Sequence, residues 1–391
     1  MLSESTHLGG RIFVVFRNNV DVTKIPQGSN LSAIDLQMRS SQTKLARIAR
    51  CPGLRALVWV ERDLYASRGY SIVRSRLEDS GTVDWQTVAH FRPPIRRRIS
   101  VNHRLSARLF RDGFHALAVL ADGQLIGAVP GSIVTLRPGD SEFYESHSIT
   151  RGTRPLHITA VPMGNIYWGE YFDNANRDEV HIYSSDDKGE TWHIAYTFGK
   201  REIRHIHNIV HDPWQNCLWI LTGDYGDECR ILRASCDLSQ VETVMKGNQQ
   251  ARAVAAVPTE DALYFSSDTP LESNHIYRLD HEQNLTQVAA ISSSSIYGCR
   301  VGTRVFFSTM VEPSKANPDR SIRVYGADIT NPGAWQALLE WRKDSLPMVL
   351  FQYGNAFLPD GQNTSPFLAL STVAVRSDDM VLSLYATPVE P

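Results

Sequence analysis

Four short segments of this 391-residue chain place cations and imidazoles at matching points: Arg154-Pro155-Leu156-His157, Arg204-His205-Ile206-His207, Gln249-Gln250-Ala251-Arg252 and Tyr297-Gly298-Cys299-Arg300. Each opens a unit that continues into a second apolar run, and three of those runs end on an acid: Glu170, Asp224 and Asp268, with Glu61 in a similar place earlier. Carboxylates accept bonds from sugar hydroxyls and guanidinium groups hold a carboxylate or sulfate, so the set suits a polyhydroxylated, acidic ligand. Glycoside hydrolysis needs two carboxyl groups, which Glu170, Asp224 and Asp268 could supply. Uronate β-elimination needs a cation on the sugar carboxylate and a His or Tyr to move the α-proton; Arg252 or Arg300 with His205, His207 or Tyr297 meets that need. The candidate catalytic residues are therefore His205, His207, Glu170 and Asp224. The candidate ligand-binding residues are Arg154, His157, Arg252, Asp268, Tyr297 and Arg300. The plainer alternative is a watery channel lined by mutually paired charges, with the acids capping turns.

The same histidines raise a metal question. Strand alternation puts His205 and His207 on one face, His157 lies on the adjacent strand, and Gln249, Gln250 or a rim acid could complete a shell. His-x-His also occurs on strands that bind nothing. The expectation is no cofactor, with a divalent metal at His157, His205 and His207 as the lesser alternative.

Such residues converge only if a repeat brings them together. Blade-sized units of roughly 42 to 54 residues can be laid end to end, each with a second strand rich in aromatic and β-branched residues. Those second strands are residues 56–60, 124–129, 165–170, 218–222, 262–266 and 304–309. A seventh unit can be built from 366–375 and 380–385 and closed by a strand at 11–16, which would leave the ring no open sheet edge. The chain therefore predicts one all-β domain over 1–391, a propeller of seven four-stranded antiparallel blades, or six. Residues 31–49 read as a short helical or irregular segment before the first full blade.

The segment Ser185-Asp186-Asp187-Lys188-Gly189-Glu190-Thr191-Trp192 has the form S-x-D-x-G-x-T-W after an extended run. It resembles the Asp-box of sialidase-like (BNR-repeat) β-propellers. That resemblance implies that Ser185, Asp187 and Thr191 bond a tight outer hairpin, that Gly189 takes a positive φ, and that Trp192 packs between blades. Looser copies follow other strands, at Ser235-Cys236-Asp237-Leu238-Ser239 and at Glu78-Asp79-Ser80-Gly81-Thr82-Val83-Asp84-Trp85. The family implies a glycosyl hydrolase-like or carbohydrate-binding propeller. True sialidases add a carboxylate-binding arginine triad opened by an F/Y-R-I-P segment, and Phe16-Arg17-Asn18-Asn19 and Phe91-Arg92-Pro93-Pro94 depart from it. Other Asp-box propellers are non-catalytic platforms for a glycan or a partner protein, and that is the alternative reading.

A formal charge of −2 gives no bulk attraction to nucleic acid or to an anionic membrane. Neither an apolar stretch of membrane-spanning length nor a signal peptide is evident, and the five cysteines are odd in number and scattered without a C-x-x-C pair. The expected setting is cytoplasmic, with an oligo- or polysaccharide ligand.

Overall fold

Second strands such as Cys217–Gly223, Ala262–Ser267 and Phe367–Val373 are buried at every residue, because each is sandwiched between the faces of two neighbouring sheets. The computed structural model describes residues 45–162, 164–331 and 334–387. Among them the chain forms a β-propeller of seven four-stranded antiparallel blades. Blades 1 to 6 occupy residues 55–91, 116–148, 159–198, 205–246, 253–291 and 295–342. Blade 7 takes three strands from 355–386 and its outer strand from Ala46–Pro52.

Burial follows the same sevenfold plan. Seven apolar clusters form, each shared by two adjacent blades: Leu64 of blade 1 with Leu382 of blade 7, for example, and Leu221 of blade 4 with Phe265 of blade 5. Each blade is thus held by its neighbours and not by a central core. The channel is left free for polar residues.

Three details correct the sequence reading. The strand that closes the ring is Ala46–Pro52, paired along Val381–Ala386, and the proposed closing strand at 11–16 lies outside the described residues. Residues 46–49 are therefore strand, because the exposed edge of Val381–Ala386 needs a partner; the rest of the proposed helical or irregular segment, 31–44, also lies outside the described residues. Residues 56–60 belong to the innermost strand of blade 1, Arg55–Glu61, and not to its second strand, because the chain enters this blade directly from the closing strand through the turn at Gly53. Blades 1 and 2 are also joined at their rims, where His90 and Phe91 pair in parallel with Glu142 and Phe143.

The hairpin at 185–192 has the local geometry that its residue types demand. Ser185 Oγ donates to Asp187 Oδ1 (2.8 Å) and accepts from Gly189 N (2.7 Å), while Thr191 donates from its N–H and hydroxyl to Asp187 (2.9 and 2.6 Å). Gly189 has φ +85°, and a Cβ there would stand 2.8 Å from Ile126 of blade 2. Half-buried Trp192 lies edge-on to Trp168 and donates to Ser146 Oγ of blade 2 (3.1 Å), so it packs between blades 2 and 3. The partial copy repeats part of the pattern: Ser235 Oγ bonds Asp237 (2.6 Å) and accepts from Gln240 N (3.0 Å). Among the described residues no helix is long and apolar enough to cross a membrane.

Candidate functional site

A β-bulge places the central residue. In blade 4 the inner strand His205–Asp212 pairs with Cys217–Gly223, and the register shifts between Ile206 and Asn208, leaving His207 as the extra residue. The inner strands of blades 1, 5 and 6 shift at the equivalent point, where the extra residues are Leu57, Val254 and Ile296. A bulge re-aims its side chain, so blade 4 puts an imidazole where three other blades put an aliphatic group. Gly223 opposite makes room for it: a Cβ there would stand 2.4 Å from His207 Cε1.

The result is a compact buried cluster. His205 Nδ1 lies 3.1 Å from Phe172 O and His207 Nδ1 2.8 Å from Ala253 O. A carbonyl oxygen only accepts, so both Nδ1 atoms carry hydrogen and donate. The two Nε2 atoms then face each other at 3.1 Å, with Asp224 Oδ1 3.5 Å from His205 Nε2 and 3.4 Å from His207 Nε2. Arg204 holds Asp224 Oδ2 (3.1 Å), and Arg252 Nη2 bridges Asp224 Oδ1 (3.3 Å) and Asp268 Oδ2 (3.6 Å). Tyr171 covers His205, their ring centres 4.4 Å apart.

Burial and charge set the protonation of these groups. Burial pushes the Asp224 carboxyl up, but bonds and charge from the two imidazoles in their protonated form overcome it and hold the group well below the usual carboxylate range. Asp268 lies deeper, and burial lifts it to about 7 against the pull of Arg252. Burial also raises Glu312 and lifts the Tyr171 phenol to about 12. It lowers His207. Arg252 is 8 % exposed, and its Nε and Nη1 have no protein hydrogen-bond partner; neither has Asp268 Oδ1.

Of the residues singled out from sequence, His205, His207, Asp224, Arg252 and Asp268 meet in this cluster. Glu170 does not join it. Its carboxylate is taken by Arg151 and by the backbone N–H of His181 (2.8 Å), so it pairs blade 3 with the loop that leads into it. Arg154, His157 and Tyr297 belong to a second cluster, built around the inner strand of blade 1. There His157 Nδ1 contacts Asp360 (2.9 Å), Arg55 lies over the Phe357 ring (3.9 Å) and Tyr297 packs edge-on to Phe357. Burial, with the nearby charges of Arg55 and Arg111, lowers Arg154 to about 9. The metal trio that included His157 is therefore not formed; Asp224 takes its place beside His205 and His207. Arg300 is at neither cluster. It forks onto Glu260 (2.7 and 2.8 Å) and stacks on Trp214, both in turns at the far end of the inner strands, because it sits near the end of its own strand, Ser295–Val301.

Two of the segments also differ in form from expectation. Arg252 follows a short 3-10 turn, Gln249–Ala251, and Arg154 and His157 precede the two-residue inner strand Thr159–Ala160. These side chains enter the channel from the loops that feed the strands. Sequence reasoning placed Arg204 among the converging segments without giving it a role, and missed Tyr171, Glu312, Arg55 and His115. Glu312 had a signal, since it follows the second strand of blade 6 much as Asp224 and Asp268 follow theirs.

No family model and no curated protein matches the chain. Solved structures do match its fold. The chain is similar to the WD40 β-propeller domain of Doa1 (TM-score 0.51, 9 % identity, 88 % of this chain and 97 % of that one). It is also similar to a chain of a mitotic checkpoint complex (0.51, 12 %, 97 % and 100 %). A third likeness is to the extracellular domain of a putative one-component system from B. thetaiotaomicron (0.52, 11 %, 89 % and 43 %). At these identities the likeness is one of architecture, and it agrees with the blades seen here: the chain has the β-propeller fold.

Proposed function

We propose that this propeller takes an acidic glycan at the end of the channel where the inner strands begin and cleaves it by glycoside hydrolysis or uronate β-elimination. The observation that carries the reading is a surplus of guanidinium donors at that end: Arg252 Nε and Nη1 and Arg55 Nε are buried without a protein acceptor. Such donors are costly to bury unpaired, and a sugar carboxylate or sulfate would satisfy them with strong charge-assisted bonds. Asp268, still able to hold a proton near neutrality, is the candidate proton donor. Its Oδ2 and Asp224 Oδ1 contact the same guanidinium nitrogen and so lie no more than about 7 Å apart, a bound that reaches the separations of glycosidase carboxyl pairs. The sugar half of the reading rests on the sialidase-like resemblance carried by Ser185, Asp187, Gly189, Thr191 and Trp192. A cytoplasmic setting is part of the proposal and is supported by five cysteines that are all free.

The second reading, a non-catalytic platform, has an observation of its own. Ile95, Ile99, Phe110, Val349 and Leu350 are all more than half exposed, and exposed apolar groups of this size suit a partner protein.

A library of uronate-containing and neutral oligosaccharides separates the two. Cleavage predicts turnover that falls by about 10²-fold or more in Asp268→Asn, and affinity that falls in Arg252→Met. Ultraviolet absorbance from an unsaturated product marks elimination, and new reducing ends without it mark hydrolysis. Binding without turnover across the library supports the platform, and no binding at all overturns the glycan reading.

A further inference from the structure

Three lone pairs converge in blade 4. Because both Nδ1 atoms donate to carbonyl oxygens, the imidazoles of His205 and His207 in their neutral form present unprotonated Nε2 atoms to each other at 3.1 Å and to Asp224 Oδ1 at 3.5 and 3.4 Å. Arg252 Nη2 offsets the charge of Asp224 Oδ1 from 3.3 Å, but the facing Nε2 lone pairs still repel unless something positive lies between them. Two species can: a proton shared within the cluster, or a metal cation.

The contacts to Asp224 favour the metal. In a tetrahedral zinc site the ligand atoms lie about 2.0–2.2 Å from the metal, which puts neighbouring ligands roughly 3.3–3.5 Å apart. The two edges to Asp224, 3.4 and 3.5 Å, match such a tetrahedron and are long for hydrogen bonds, while the His–His edge of 3.1 Å is shorter and lies within hydrogen-bond range. The surroundings are also those of a ligand set. Each imidazole is oriented by an Nδ1–H to a backbone carbonyl, which fixes the Nε2 tautomer a metal needs, and the other oxygen of Asp224 is held by Arg204 at 3.1 Å. His205, His207 and Asp224 are all buried, and the inner-strand bulge together with Gly223 aims His207 into the group.

We infer that His205 Nε2, His207 Nε2 and Asp224 Oδ1 form a three-ligand site for a divalent transition metal, open at its fourth position. Two imidazoles with one carboxylate favour zinc and its neighbours over magnesium or calcium, which take all-oxygen shells. Three protein ligands and one open position is the arrangement of catalytic rather than structural zinc. The site follows from this geometry alone and needs no glycan.

The test is a titration of chelator-treated full-length protein with Co²⁺, followed by its visible d–d absorption, and with Zn²⁺ as competitor. One equivalent of Co²⁺ should develop the intense bands of a four- or five-coordinate site, and Zn²⁺ should bleach them. Loss of an outer-shell partner typically weakens metal binding 10–100-fold, so removal of a ligand in His205→Gln or Asp224→Asn should exceed about 100-fold. Gly223→Ala, which displaces His207 without removing a donor, should weaken binding less than either. Wild-type protein that takes up neither ion saturably would overturn the site in favour of a shared proton, and so would uptake unchanged in both ligand variants. Because the wild type alone decides whether a metal binds, misfolding of a variant cannot hide the answer. No sugar enters the measurement, so its failure leaves the glycan reading standing, and failure of the oligosaccharide library leaves the metal site standing.

Discussion

The two polar clusters of the channel solve opposite electrostatic problems. In the blade 3–5 cluster Arg204 and Arg252 are matched by Asp224 and Asp268, and nearly every contact is shared between two strands. In the blade 1 cluster Arg55, Arg111 and Arg154 crowd together, with partly exposed Asp360 as their counter-charge. His115 is held neutral there, its pKa well below the ordinary value through burial and then the adjacent arginines. The first cluster is matched in charge, although Arg252 Nε and Nη1 keep donors to spare. The second is open, and an anion from outside would improve it. One ring thus carries a preorganised centre and an electropositive pocket, and the difference is set by which blades end their second strands on an acid.

The sharpest break between them is removal of an acid from each. Asp224→Ala should destabilise the metal-free protein by about 3 kcal/mol, because it takes the better-placed carboxylate from buried Arg252 and the buried one from half-buried Arg204, leaving them only Asp268 and exposed Asp173. Asp360→Ala, which removes a partly solvated partner of His157, should cost no more than about 1 kcal/mol. Urea unfolding of both variants checks the contrast, and equal losses would show that the blade 1 cluster is matched in charge as well.

Asp268 gives a pH signature of the matched cluster. Its folded pKa of about 7 lies above an unfolded value of about 3.9, so the folded state holds a proton that the unfolded chain has released. The contribution is fully present below about pH 4 and is lost as pH rises through about 7, up to a few kcal/mol in all. Burial sets most of its size, and Arg252, Glu312, Ser294 and Asp224, which face the group, adjust it. Asp268→Asn should flatten stability against pH across that window, and a slope unchanged in this variant would assign it elsewhere.

Trp192→Ala should cost about 2–3 kcal/mol, less than a fully buried Trp would, because Trp192 keeps part of its surface in water. Ligand affinity of the folded fraction should stay unchanged, since Trp192 packs on Trp168 and Ser146 and touches neither cluster. The smallest effect belongs to Arg154→Met. Sulfate at constant ionic strength should raise the melting temperature of the wild type by a few degrees, and less in the variant, if the blade 1 arginines bind an anion. Equal shifts would remove that pocket from consideration.

The ring was legible because its signal is repeated: a buried second strand appears in blade after blade, and each disagreement is local. The hairpin at Ser185 was legible because its bonds join residues two to four positions apart. The channel was harder to read. His205 and His207 were expected on one face by simple alternation, yet the bulge at His207 is what aims it, and a bulge leaves no mark on periodicity. Glu170 looked equivalent to Asp224 because both end a second strand, but Arg151, nineteen residues earlier in an irregular loop, captures it. Arg300 shares a strand with Tyr297 and still reaches the far end, since three residues of strand advance the chain about 10 Å. Such outcomes depend on long-range partners, which one sequence read locally does not disclose.

The pairing of Ala46–Pro52 with Val381–Ala386 sets the order of events during synthesis. The strand that completes blade 7 leaves the ribosome before any other in the described ring, yet its partner is more than three hundred residues away. Until that partner emerges, the earliest-made strand has no sheet to join, and blade 1 lacks the apolar face of blade 7 that buries Leu64 and Trp59. Contacts this distant in sequence slow folding. The growing chain must therefore carry an unsealed seam until residues 381–386 have been made, and arrest of synthesis short of residue 381 would leave a fragment with exposed strand edges at both ends, a substrate for chaperones and proteases rather than a smaller propeller.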